Sequence, residues 1–173
     1  MNKSSIIKGH VYYCNDYTDT DVMAPGRYDP IEGIENLAKI ALIDYKGPAP
    51  FINKDNNRSD YSIIVAGREF GCGSSRETAT LALLHSGVKV IIAKSFARIF
   101  YRNCINMGGL YPIVLDHHFD KEIFNKEMTI DTQKRIIQTG TTILDYPDFG
   151  PLQEIVESGG LAQYTLKKMG SNK

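Results

Sequence analysis

Residues 61–93, YSIIVAGREFGCGSSRETATLALLHSGVKVIIA, constrain the fold of this chain more than any other stretch. Two β-branched runs, YSIIVAG and VKVIIA, flank a glycine- and serine-rich turn and an apolar helical segment that stops at Gly87. Runs that are apolar at successive positions suit strands buried on both faces. The order strand, turn, helix, strand is that of a βαβ unit, and its turn is either an ordinary connection or a loop shaped around an anion. A second step follows: SFARIFYRNCINMGG reads as a helix ending near Gly108, and LYPIVL, residues 110–115, as a strand. Pro112 within that strand suits an edge or a strand start. Two βα steps in a row predict an α/β domain whose sheet is at least partly parallel.

The remaining segments fit around that unit. HVYYC, residues 10–14, reads as an opening strand, followed by the irregular, aspartate-rich loop NDYTDTDVMAPGRYDP. GIENLAKIALI, residues 33–43, has helical spacing. DYKGPAPFINKDNNRSD, residues 44–60, breaks the periodicity and reads as an extended surface loop. TGTTILDY predicts a late strand, and PLQEIVESG a final helix. The 173 residues suit one domain, 1–173, that includes the 44–60 loop.

Bulk chemistry narrows the function. Twenty basic and twenty acidic side chains cancel, and no long basic block occurs, which argues against a nucleic-acid partner. The N-terminal residues contain no apolar run long enough for a signal peptide or a membrane span, so no membrane partner is expected. Cys14, Cys72 and Cys104 lie far apart without a C-x-x-C pair, and read as small, mostly buried thiols in a reducing, cytoplasmic setting. Nothing in their spacing favours a metal or cluster bound by this chain.

The turn REFGCGSSRETA admits two readings. With Ser74 as N-cap, Glu77 falls at the third helical position and completes a capping box. Alternatively, Gly71 and Gly73 let the backbone approach a ligand, while the helix start and the Arg76 guanidinium hold an anion. The turn is neither a dinucleotide glycine motif nor a phosphate-binding P-loop nor a nucleophile elbow. Ser74 can act as nucleophile or base only if its surroundings favour the charged oxygen. His85 lies too far along the helix to be its direct partner, and His117 and His118 read as surface-loop residues. In the earlier loop, Asp19 and Asp21 suit either a metal or local capping. Arg27 either brings a second positive charge over an anionic pocket or forms an exposed ion pair.

TDTDVMAPGRY, VAGREFGCGSSRETA, IIAKSFARIFYRNCINMGGL and EIVESGGL together resemble the swivel domains of the aconitase family, and within it the small subunits of the 3-isopropylmalate dehydratase type, from about Gly9 through Gly160. The resemblance implies an aconitase-like swivel domain with a mixed, partly parallel sheet and flanking helices. It also implies a dehydratase large subunit as partner, which supplies a 4Fe-4S cluster, none being bound by this chain. The implied reaction on a small dicarboxylate interconverts 3-isopropylmalate and 2-isopropylmalate by dehydration and rehydration, in leucine biosynthesis. The family's base falls on Ser74, its carboxylate-binding and alkoxide-stabilising arginine on Arg76, and its active-site aspartate on Asp21. Ser75, between the two, binds substrate or orients the turn.

One segment departs from the pattern. Where related small subunits often continue with Leu-Arg-Thr, this chain has Asp29-Pro30-Ile31, which leaves Arg27 as the replacement substrate-binding arginine. Homocitrate, citraconate or a methylated malate are the alternative substrates, and a non-catalytic carboxylate-binding protein is the alternative of another class.

Overall fold

The computed structural model describes residues 5–28, 33–74 and 76–170. β1 (Ile6–Tyr13) is followed by a one-turn helix α1 (Thr20–Met23), then α2 (Ile34–Lys39) and a small hairpin, β2 (Ile52–Asn53) and β3 (Arg58–Ser59). β4 (Tyr61–Ala66), α3 (Glu77–Ser86), β5 (Val90–Ala93), α4 (Arg98–Met107) and β6 (Tyr111–Val114) make the two βα steps. β7 (Glu127–Asp131), β8 (Ile136–Thr139) and β9 (Thr142–Asp145) form a meander, and α5 (Gln153–Ser158) and α6 (Leu161–Gly170) close the described chain.

Seven strands make one sheet in the order β6-β5-β4-β1-β7-β8-β9. β6, β5, β4 and β1 run parallel, whereas β7, β8 and β9 are antiparallel to their neighbours. The sheet is therefore mixed and partly parallel, as the two βα steps require. Pro112 sits in β6, the edge strand, opposite Ile91. An edge tolerates its missing N–H.

The β-branched runs are explained by burial on both faces. Ile64 and Ile91 pack in one cluster with Ala79, Ala82 and Leu83 of α3 and Phe100 and Cys104 of α4. Ile63, Val65, Val90 and Ile92 pack in the other, with Met128 and Ile130 of β7 and Ile137 of β8. β7 alternates instead, burying Met128 and Ile130 between more exposed neighbours.

Three local expectations are corrected. The helix over 33–43 is shorter, since Gly33 precedes α2 and the chain leaves helical geometry at Ile40, turning at Leu42 with φ +53°. The 44–60 segment is not wholly irregular, because β2 and β3 pair within it. β7, β8 and α6 were not expected from the sequence; short amphipathic strands separated by the polar turn at Gln133–Arg135 give little periodic signal.

α4 and α5 end against each other through backbone. Gly108 has φ +70°, and a Cβ there would lie 2.0 Å from the Gly159 carbonyl oxygen. Gly108→Ala is expected to destabilise the protein by about 3 kcal/mol, lowering Tm by roughly 10 °C. A thermal melt shifted by less than about 2 °C would show that this junction has room the packing denies.

Candidate functional site

Loops leaving the C-terminal ends of β1, β4 and β5 meet at one edge of the parallel half of the sheet. Open α/β sheets place ligand crevices at that edge. Backbone hydrogen bonds stitch the first loop to the second. Tyr17 N–H donates to the Arg68 carbonyl at 2.7 Å, Gly71 N–H to Thr18 at 2.9 Å, and Thr20 N–H to Cys72 at 2.8 Å. The Thr20 hydroxyl, on a side of α1 buried to 1% exposure, donates to the Ser74 carbonyl at 2.8 Å. A second seam joins the loop after β4 to the loop after β5. Phe70 N–H donates to Ser95 O, and Ala97 N–H to Phe70 O, both at 3.0 Å. Glu69, at φ +50°, gives its N–H to Ser95 Oγ, which returns its proton to Glu69 Oε1 at 2.7 Å.

Two glycines make this turn possible. Gly71 has φ +82°, and a Cβ on it would fall 2.2 Å from the Phe100 ring. Gly73 has φ +90°, and its Cβ would fall 2.3 Å from Asp19 Oδ1. Both positions combine a conformation that L side chains avoid with no space for one.

The capping box expected from Ser74 and Glu77 does not form. α3 begins at Glu77, after an extended Arg76 (φ −127°, ψ 123°), and has no side-chain cap. The reason is tertiary. Thr20 fixes Ser74 as part of the loop, so the chain turns helical later and Glu77 occupies the first turn, where its charge still suits the helix dipole.

Arg76 Nη2 lies 3.1 Å from Asp21 Oδ1, with the arginine three-quarters buried and the aspartate half exposed. Asp19 caps α1 by accepting the Asp21 N–H at 2.6 Å, so the DTD motif aims Asp21 at the guanidinium. Gly26 completes the cradle, since a Cβ there would sit 2.7 Å from Arg76 Nη1. Ser74, Arg76 and Asp21 are thus brought together. Ser75 lies outside the described residues, as does the departing segment Asp29-Pro30-Ile31.

Of the two readings of Arg27, the structure shows the exposed ion pair. Its guanidinium makes a two-pronged pair with Asp44, at 2.5 and 2.6 Å, and stacks over the Tyr28 ring at 4.6 Å. That pair holds the Asp44 carboxyl below its ordinary range and raises the guanidinium's own affinity for its proton. The structure therefore ties Arg27 to the 44–60 segment instead of bringing it into the cleft.

The cleft itself has a volume of about 290 Å³. Thr20, Ser74 and Arg76 line it together with Arg98, Ile99 and Asn103 of α4. Arg98 and Asn103 were missed in the sequence, where they read as ordinary positions on a helix; their spacing of five residues carried no motif. A wider depression of about 920 Å³ runs past Lys8, His118, Glu127 and Thr142. It mixes charges of both signs, and His118 is engaged with Asp120 at 3.0 Å. The smaller cleft joins a serine, a largely buried guanidinium and a helix start.

Among the described residues no group of three His, Cys, Asp or Glu could hold a metal ion, and no helix is long and apolar enough to cross a membrane. Cys14 and Cys104 are fully buried, and burial raises both thiols well above their ordinary range. Cys72 is partly exposed in the cleft wall; partial burial and then Asp19 raise it too. Because the thiolate is the reactive form, labelling slows when the pKa rises and recovers as pH climbs. In native protein at pH 8, iodoacetamide is expected to modify Cys72 alone and slowly, with Cys14 and Cys104 reacting only after unfolding. Mass spectrometry showing native labelling of Cys14 or Cys104 would contradict the packing of the cluster that encloses both.

The described geometry has counterparts. Residues 38–118 match the aconitase C-terminal domain family. The chain is 42% identical over 166 residues to a 3-isopropylmalate dehydratase small subunit of Methanosarcina mazei, covering 93% of this chain and 97% of that protein. It is 41% identical over 165 residues to a methanogen homoaconitase small subunit of Methanothermobacter thermautotrophicus, covering 94% and 92%. A crystal structure of 3-isopropylmalate dehydratase from Methanocaldococcus jannaschii superposes with a TM-score of 0.77 at 37% identity, covering 96% of this chain and 97% of that one.

Proposed function

The chain belongs to the aconitase family, as a small subunit of its hydro-lyases, and from that membership we propose that it is the swivel-domain subunit of an enzyme interconverting 3-isopropylmalate and 2-isopropylmalate. The observation that carries the reading is that Ser74 and Arg76 line one cleft while Asp21, from a loop remote in sequence, pairs with the Arg76 guanidinium. In this reading the whole chain, 1–173, works as one swivel domain in the cytoplasm as part of leucine biosynthesis.

Ser74 takes the proton from the substrate carbon next to the one that loses hydroxide, and returns it to carbon during rehydration. A serine oxygen can do this only as an alkoxide, so the positive groups around it set its strength. Arg76 supplies the nearest full charge, and the free amides at the start of α3 add partial positive charge. Asp21 holds the guanidinium in place. Arg76 binds that carboxylate and balances the alkoxide, and Ser75 is assigned to substrate binding beside it.

The cysteines of this chain do not fit an iron–sulfur cluster, two being enclosed in the core and none belonging to a ligand-like group among the described residues. The reading leaves a 4Fe-4S cluster to the large subunit, where it would supply the Lewis acid for the departing hydroxyl. This chain contributes the proton step and the carboxylate site.

A homocitrate-type substrate is the second reading, favoured by the relatives named methanogen homoaconitase small subunit at 41% and 40% identity. A substrate panel on the two-subunit complex separates the two, and the first predicts the highest kcat/KM for isopropylmalate. In the same complex, Ser74→Ala is expected to cut kcat by about 10³-fold with KM changed little and association intact. The isolated small subunit should show neither turnover nor cluster absorption. Retention of more than a tenth of wild-type kcat by Ser74→Ala would remove the serine from the role of base.

A further inference from the structure

Resting on the hydro-lyase reading of this cleft, we propose that Arg98 is the second carboxylate-binding arginine of the site, the role that the sequence alone gives to Arg27. A dicarboxylate brings two negative charges. Arg76 answers one of them and is already shared with Asp21 at 3.1 Å. Of the described charged side chains lining the cleft, Arg98 is the other; no described acid lines it.

Arg98 is also available where Arg27 is not. Both prongs of Arg27 are engaged by Asp44, and its face is engaged by Tyr28. Among the described residues Arg98 makes no ion pair and no side-chain hydrogen bond, and it is exposed. A guanidinium in that state loses no internal partner when it takes a carboxylate, and its planar fork suits two-point binding.

Its position is fixed by the second seam rather than by its own contacts. Ala97, just before it, donates its N–H to Phe70, and the Glu69–Ser95 exchange locks the same loop. Arg98 therefore stands on the first turn of a ten-residue helix whose start carries no side-chain cap. Asn103, one and a half turns on, adds an amide to the same wall. Both guanidinium groups line the cleft, Arg76 from the loop after β4 and Arg98 from α4, so the ligand they fit is a short dicarboxylate that reaches both, in the cleft that Ser74 also lines. Ile99, adjoining Arg98, offers apolar surface to an alkyl substituent.

The test uses the reconstituted complex with its large subunit, comparing wild type, Arg98→Ala, Arg98→Lys and Arg27→Ala on isopropylmalate. Arg98→Ala is expected to raise KM roughly 10- to 100-fold with kcat altered much less, and Arg98→Lys to recover part of the loss because the charge returns without the fork. Arg27→Ala is expected to leave KM within about threefold. An unchanged KM in Arg98→Ala, with wild type active and Ser74→Ala inactive, overturns this inference and leaves the hydro-lyase reading standing. Loss of subunit association in Arg98→Ala, seen by gel filtration, also overturns it, since the residue would then belong to the subunit contact. A wild-type complex with no dicarboxylate turnover overturns both.

Discussion

Everything the cleft can do depends on hydrogen bonds between loops that are remote in sequence. Thr20 sits on a one-turn helix that would not persist alone, yet it is fully buried and grips Ser74 and Cys72 by their carbonyls. Gly71 reciprocates by donating to Thr18. These bonds extend the parallel pairing of β1 and β4 beyond the ends of the strands, as the Asp19–Cys72 bridge shows. The sheet thus reaches into the site, and the serine stands on backbone whose carbonyl is held by Thr20. Groups placed this way need little reorganisation when charge develops.

Charge is distributed with the same economy. Arg76 is steadied by Asp21, which is itself aimed by the Asp19 cap, so two carboxylates of one loop position one guanidinium. Arg27 is matched to Asp44 on the outside and braces the loop after α1 against the 44–60 segment. Exposed pairs of that kind contribute modestly to stability. The cleft is lined by both Arg76 and Arg98 and by no described acid. A small dianion is the complement to that arrangement.

The parallel half of the fold was legible in the sequence because its strands are buried on both faces and each helix ends at a glycine. Gly87, in the left-handed region, closes α3 where the pattern stops. The meander was not legible: β7 and β8 expose alternate residues, so their apolar signal is halved and interrupted by charged turns. Within the site, the glycines and the DTD motif could be singled out because their chemistry is local. The capping box was misread because a hydrogen bond from Thr20, 54 positions away, overrides the local preference of Ser74. Arg27 could be read either as a pocket charge or as an exposed ion pair, because its partner Asp44 lies in a segment without regular pattern. Arg98 had no motif to announce it, and only the seam through Phe70 and Ser95 turns it toward the cleft.

The central claim is that the turn carrying Ser74 and Arg76 is assembled within this chain before any partner arrives. Native-state hydrogen exchange on the isolated chain tests it directly, at the amides of Thr20, Phe70, Gly71 and Ala97, whose acceptors lie across the two seams. The account predicts that these four amides are protected almost as well as those of β4, with opening free energies near the global value, and that adding the large subunit changes them little. Exchange at the rate of unstructured peptide in the isolated chain, with protection gained only in the complex, would show that the partner builds the site.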